Sequence, residues 1–305
     1  MCKLVKIAVL GKGPARKEHL KTWSAISGVE VVGEKENLSL QEALSLDVDV
    51  VDLCLPLDQR ADYIRRASKK GLHIICEAPI AQSVEEAESI VKACSQNQTN
   101  LYLGNSHRFH PAYVNAREQL EDGSLGNPGV LRITHSIPRP EKEADLFLQV
   151  GNADFDWLVW ALGDVERVTA KRVQKKRQDG SLLEFALVTL RMENQAIAHV
   201  ELSWSTEKVE QTFELTGEYG MLTYNGKESN PIQVELTSGN LDVEEGLFVK
   251  NPLRREMEAI INSLNSEGSV PFTPVDAMKA MKIAEAAKHS VAIGEPVSLK
   301  RGALL

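Results

Sequence analysis

Through the first third of the chain, apolar positions come in short, nearly unbroken runs. Val5 to Leu10 is the first, followed by Val48 to Leu55, Leu72 to Cys76 and Leu101 to Leu103. Runs of this length with little polar interruption are strands buried on both faces, which predicts a parallel sheet. Helix signals lie between them. Asp58 follows Pro56 and is placed to cap a helix over Gln59 to Lys70, with Gly71 as its C-terminal stop. Ser83-Val84-Glu85-Glu86 reads as a capping box opening a helix that runs to Cys94. Strands alternating with helices in this way predict a doubly wound α/β domain. One crossover is abbreviated: between the strand Val29–Gly33 and Val48 there is room only for a short helix, Leu40 to Leu46.

The pattern then changes. Leu182 to Met192 predicts a long strand, and Ala196 to Trp204 alternates cleanly. Ala196, Ala198, Val200, Leu202 and Trp204 fall on one face, His199, Glu201 and Ser203 on the other. One dry and one wet face is the signature of an antiparallel sheet. Phe213 to Leu215 and Met221 to Tyr224 predict two further strands joined by a turn at Gly217–Gly220. Thr273-Pro274-Val275-Asp276 opens a closing helix. Ala277, Met281, Ala284, Lys288 and Val291 form its stripe, and Gly294 ends it.

The first strand runs into Gly11-Lys12-Gly13. A strand, a glycine turn and a helix start together aim backbone N–H groups at one place, the arrangement that receives a nucleotide's phosphates. Gly11, Lys12, Gly13, Pro14 and Ala15 are the candidate cradle. The third glycine of the usual spacing is replaced by Arg16, and Pro14 removes one donor. A bare G-x-G also occurs in plain strand–turn–helix units, so both readings stand at this point.

Composition narrows the class. The chain has 305 residues, enough for two domains, with 43% hydrophobic and 26% charged residues and a formal charge of −8. An acidic balance argues against a nucleic-acid surface. The basic run Lys171 to Arg177 precedes Asp179-Gly180 and reads as a solvated hairpin end. Cys2, Cys54, Cys76 and Cys94 are widely spaced, suggesting neither a disulfide framework nor a zinc site. No apolar run is long enough to span a membrane, and the N-terminal one is too short for a secretory signal, so a cytoplasmic location is expected.

Five ordered motifs carry a resemblance. Cys76-Glu77-Ala78-Pro79 resembles a Glu-Lys-Pro element, and Arg108-Phe109-His110-Pro111-Ala112-Tyr113 resembles an R-F-x-P-x-Y segment. Gly123-Ser124-Leu125-Gly126, Trp157 to Gly163 and Glu295-Pro296-Val297 follow in order. Together they resemble the glucose–fructose oxidoreductase and inositol dehydrogenase (Gfo/Idh/MocA) family over nearly the whole chain. The resemblance implies an α/β chain: an N-terminal Rossmann-type domain over residues 1–120 that binds NAD or NADP, and a C-terminal α+β domain over 121–305. The second domain is expected to carry an open, mainly antiparallel sheet, with the last helix (274–292) packing back near the first. It also implies a sugar, polyol or related small-molecule substrate, and a dimer or tetramer formed through the sheet face that bears His199, Glu201 and Ser203. Neither nucleic acid nor membrane is implied as a partner.

Cofactor residues carried over by the resemblance are the glycine turn, Pro56, Glu77 and an acid for the ribose hydroxyls. That acid falls on Glu36, with Glu34 as second choice, and favours NAD; Lys12, Arg16 or Lys35 would instead meet a 2′-phosphate. A charged, solvated turn is the alternative reading of this stretch.

The family's proton-handling Lys, Asp and His fall on Ala78, Gln149 and Ala153, none of which exchanges a proton. His107 is the replacement candidate for acid–base work, and Asp154 the next. His107 and His110 have metal-like spacing without an evident third ligand. Arg108 reads as structural or as a contact to a substrate oxygen; His19, His73 and Asp156 read as structural. Two functions follow: an NAD(P)-dependent oxidoreductase with a rearranged site, or a non-catalytic relative serving as a binding, regulatory or partner subunit.

Overall fold

The computed structural model describes every residue except 1–3, 34, 36–37, 141–143, 179, 229–230, 238, 242–250, 266–271 and 300–305. Glu34, Glu36 and Asp179 therefore lie outside the described residues. The chain divides into two compact units, residues 1–109 with 250–278, and residues 110–249 with 279–305.

The first unit alternates strand and helix: β1 (Val5–Gly11), α1 (Gly13–Trp23), β2 (Val29–Val31), α2 (Leu40–Ala43), β3 (Val50–Cys54), α3 (Leu57–Lys69), β4 (His73–Glu77), α4 (Val84–Gln96) and β5 (Leu101–Gly104). The five strands form one sheet in the order β2-β1-β3-β4-β5, every pair parallel. Strand order reverses between β1 and β3, where Gly11 pairs with Cys54 at the C-terminal ends. A crevice at that switch point is where doubly wound sheets take ligands. The abbreviated crossover is present, its α2 held by a Ser39–Glu42 capping box. Asp58 does not cap α3. Pro56 takes that position and Asp58 falls within the first turn, where its charge still favours the helix N-terminus.

The second unit is built on a nine-stranded sheet. Its strands are β6 (Pro128–Ser136), β7 (Val165–Lys176), β8 (Leu182–Met192), β9 (Ile197–Trp204), β10 (Glu210–Gly217), β11 (Gly220–Asn225), β12 (Ile232–Leu236), β13 (Gly239–Leu241) and β14 (Val297–Ser298). Their order is β13-β12-β11-β10-β6-β9-β8-β7-β14. The β6–β9 pair is parallel, whereas β10–β11 and β7–β8, among others, are antiparallel. Before and beside this sheet come α5 (Pro111–Glu121), α6 (Leu146–Gln149) and α7 (Gly151–Leu162). The apolar stripe of β9 is buried throughout, Ala198, Val200 and Leu202 completely. On its other face Ser203 is buried as well, hydrogen-bonded to Ser136 and Ser205. Tyr113, Trp157, Phe213 and Tyr224 form an aromatic cluster under the sheet.

Two helices follow, α8 (Pro252–Asn265) and α9 (Pro274–Ile293). Met257, Ile260 and Ile261 of α8 complete the core of the first unit with Ile7, Val9, Trp23, Val50 and Tyr102. Among the described residues, no helix is long and apolar enough to cross a membrane.

Candidate functional site

The glycine turn is shaped by contacts that exclude side chains. Gly11 has a φ of 122°, and a Cβ there would sit 1.9 Å from the Cys54 carbonyl oxygen. Gly13 has a φ of 82° in open space and starts α1. Lys12, Gly13, Pro14 and Ala15 are exposed. Lys12 is the N-cap residue but makes no side-chain cap hydrogen bond, so the first N–H groups of α1 are not satisfied from that side chain. This geometry accommodates a dinucleotide's pyrophosphate. Arg16 points the other way. It is buried, its Nε donating to Val9 O at 3.1 Å and its Nη2 to Lys35 O at 3.0 Å. Lys35 Nζ in turn meets Glu42 at 2.9 Å.

Beside the turn, a polar cluster lies under the strand ends. His19 Nδ1 donates to Asp52 Oδ2 at 2.8 Å, and Trp23 Nε1 donates to the same oxygen at 2.7 Å. Burial opposes charging of His19, but the Asp52 carboxylate outweighs it and holds the imidazole well above its ordinary value. Glu77 ends β4 with a half-exposed carboxylate, Oε1 3.6 Å from His19 Nε2 and Oε2 3.9 Å from Arg60. The His19 contact holds Glu77 below the ordinary carboxylate range. Arg60 also donates to the carbonyls of Leu55, Glu77 and Pro79, tying together the segments that follow β3 and β4. Pro56 lies exposed in the first of these segments.

Glu256 of α8 reaches the same edge. Its Oε1 passes so close to Gly104 that a Cβ there would come within 2.6 Å. Burial, reinforced by the Glu77 charge, pushes this carboxyl up to about 8. Burial also pushes Cys54 up to about 11 and Cys76 to about 12, which makes both thiols poor nucleophiles.

Past β5, a 3₁₀ turn over Ser106–Phe109 holds His107, which is buried, its backbone N–H donating to Asn105 Oδ1 at 3.1 Å. Arg108 lies over the Phe272 ring at 4.3 Å and 3.7 Å from Asp276, a structural tie to the first turn of α9. Ala78 follows β4, its N–H on Gly104 O.

In the second unit His110 is the N-cap of α5, its Nδ1 accepting from the Ala112 N–H at 3.3 Å. That role accounts for half of the metal-like His-x-x-His spacing. Gln149 is exposed and Ala153 partly so, one helical turn apart. Asp154, on the first turn of α7, has none of its surface exposed. Its Oδ2 accepts from His135 Nδ1 at 2.7 Å and its Oδ1 from Gln211 Nε2 at 3.3 Å. The Asp154 charge overcomes burial and raises the His135 imidazole above its ordinary value. Sequence reasoning misses His135; the signal that could find it is the alternation Leu131, Ile133, His135 along β6.

These features define a Rossmann-type dinucleotide domain joined to an open-sheet domain. Residues 6–105 match the oxidoreductase family with an NAD-binding Rossmann fold, and residues 113–223 match the GFO/IDH/MocA C-terminal domain. The chain belongs to the Gfo/Idh/MocA oxidoreductase family. It is 26% identical over 298 residues to the uncharacterized oxidoreductase YrbE of Bacillus subtilis, covering 92% of this chain and 86% of that protein. It is 24% identical over 330 residues to an inositol 2-dehydrogenase of Rhizobium meliloti, covering 97% and 99% respectively. A solved oxidoreductase from Agrobacterium radiobacter, in complex with NAD+, L-tartaric acid and magnesium, has the same fold. Its TM-score is 0.84 at 18% identity, over 99% of this chain and 100% of that one.

Proposed function

We propose that the chain is an NAD(P)-dependent oxidoreductase that interconverts a hydroxyl and a carbonyl on a sugar, polyol or related small molecule. The observation that carries this reading is the Gly11 turn, where no side chain fits against Cys54 and the start of α1 is open. Backbone N–H groups of Gly11, Lys12, Gly13 and Ala15 would hold the pyrophosphate, with Pro56 and Glu77 flanking the nicotinamide end. The bound dinucleotide supplies hydride exchange. Commitment of Arg16 and Lys35 to other partners supports NAD over NADP. Inositol dehydrogenases among the relatives support a polyol-like substrate.

Ala78, Gln149 and Ala153 stand where the family keeps its Lys, Asp and His, so the proton falls to another group. His107 and Asp154 are the candidates from the sequence. The same three positions favour a second reading, a non-catalytic relative that binds a ligand or a partner subunit. The outer sheet face supports a dimer or tetramer: Val173 and Leu187 stand about half exposed there, at 50% and 49%.

Fluorescence titration with NADH and NADPH, then turnover over a panel of sugars and polyols, separates the readings. Binding with measurable turnover supports the enzyme, and binding with none supports the non-catalytic relative. In an active protein, His107→Ala should lower turnover ~10²-fold or more if His107 is the general base.

A further inference from the structure

We propose that His19, Asp52 and Cys54 form a binding site for a divalent transition-metal ion, with Zn²⁺ the best fit. The site lies wholly within the first unit and goes beyond the oxidoreductase reading. Asp52 and Cys54 stand two apart on β3, so their side chains leave the same face of the strand. His19 and Trp23 stand four apart on α1 and share one face of the helix. Both donate to Asp52 Oδ2, His19 Nδ1 at 2.8 Å and Trp23 Nε1 at 2.7 Å. One ligand atom from each of His19, Asp52 and Cys54 lies within 4.8 Å of the other two. Cysteine spacing along the chain predicts no zinc site, but a site with a single cysteine leaves no such spacing to read.

Imidazole, thiolate and carboxylate together are ligands for Zn²⁺, whereas Mg²⁺ and Ca²⁺ are held by oxygen. Bonds of about 2.0–2.3 Å in a tetrahedral site set ligand atoms roughly 3.3–3.6 Å apart. The 2.8 Å contact and the 4.8 Å span of the cluster bracket that spacing, so side-chain adjustment closes the site. Charge balances as well. One carboxylate and one thiolate offset a divalent cation where His19 and Asp52 are only 4% and 1% exposed. The ion takes the place of the Nδ1 proton that His19 gives to Asp52, and Cys54 gives up its thiol proton. Three protein ligands leave a fourth position for water.

A second observation points to a ligand. Asp52 Oδ2 carries both donors, while its buried Oδ1 has no hydrogen-bond partner among the described residues. A carboxylate oxygen buried without a partner costs free energy, and a bound cation removes that cost. The surrounding contacts are those of a ligating histidine. With Nδ1 on the ion, Nε2 keeps its proton and faces Glu77 Oε1 at 3.6 Å. A carboxylate in that place orients the ring and raises its basicity as a ligand, and Trp23 holds Asp52 in the same way. Cys54 is partly exposed and Glu77 half-exposed, which gives the ion a way in from the strand ends.

The test uses Co²⁺ as a spectroscopic stand-in for Zn²⁺, on the whole chain without dinucleotide. Titration should raise a near-ultraviolet thiolate-to-cobalt absorption band that saturates at one ion per chain, and added Zn²⁺ should abolish it. Cys54→Ser should lose the band, whereas Cys2→Ser should keep it. Glu77→Ala changes a half-exposed side chain, so the variant should fold, and it should bind Co²⁺ about ten- to a hundredfold more weakly. Circular dichroism of each variant checks the fold. A wild type without the band, a band that survives Cys54→Ser or is lost in Cys2→Ser, or binding indifferent to Glu77→Ala overturns the inference. Each of these results leaves the oxidoreductase reading standing, and a failure to bind NADH or NADPH leaves the metal site standing.

Discussion

His19 donates from Nδ1 to Asp52 Oδ2 across 2.8 Å, a buried contact between α1 and β3 to which Trp23 adds a second donor. The histidine is raised far above its ordinary 6.5 in the folded chain. A group raised on folding contributes stability that is full below the unfolded value and is lost as pH rises towards the folded one. Wild-type stability should therefore fall with pH above 6.5 and keep falling beyond pH 8. Asp52→Asn should lower stability at pH 6 by about 3 kcal/mol, as breaking a buried pair does, and flatten the slope between pH 8 and 9. Urea midpoints at those pH values measure both effects; parallel slopes in the two proteins would refute the assignment.

Glu256 contributes in the same direction over a lower window. Its folded value of about 8 lies above the ordinary 4.5, so its contribution is lost as pH rises between these values. Glu256→Gln keeps the shape and removes the charge. The variant should match wild type at pH 4 and exceed it at pH 9 by a few kcal/mol, since each pH unit between the two values is worth roughly 1.4 kcal/mol. Thermal or urea unfolding at the two pH values gives the comparison, and a variant weaker than wild type at pH 9 would contradict it.

The two turn glycines should separate by mechanism. Gly11→Ala places a Cβ 1.9 Å from a backbone oxygen at a φ of 122°, so the β1–β3 junction has to move. A loss of about 3 kcal/mol or more is expected, the range of large steric and backbone effects. Gly13→Ala meets nothing within 4 Å and carries only the strain of its φ of 82°, about 1 kcal/mol. On the proposed function, in which this turn holds the pyrophosphate, its larger effect should be on dinucleotide binding. Equal destabilisation by both substitutions would show that the close approach to Cys54 is not the constraint.

Much of this was legible along the chain, and the misses have a common cause. The strands of the first unit are apolar on both faces, so short runs such as Val48–Leu55 locate them directly. The glycine turn and the stop at Gly71 follow from backbone chemistry alone. β6 escaped because Arg132, Thr134, His135 and Ser136 dilute its apolar positions; only the neighbouring strands make Leu131 and Ile133 a buried face. With β6 went His135 and its pairing with Asp154. The return of α8 to the first unit, and with it Glu256 over Gly104, depends on packing between segments far apart in sequence. Arg16 read as a damaged third glycine, yet its side chain turns inward to satisfy Val9 O and Lys35 O.

Pro14 is the remaining departure within the cradle, and it can be reversed. It occupies the first turn of α1, where a missing N–H leaves no intrahelical bond unmade, so stability gives little reason against replacing it. Pro14→Ala restores one N–H at a helix N-terminus open to solvent. One added hydrogen bond to a phosphate is worth ~1.5–3 kcal/mol, so NADH affinity should rise roughly ten- to a hundredfold. Arg16→Gly restores the family spacing but removes the donor that serves Val9 O and Lys35 O, so it should lose stability without a matching gain in affinity. Calorimetric titration of the two variants against wild type decides the matter. Unchanged affinity in Pro14→Ala would mean the pyrophosphate does not sit on this turn.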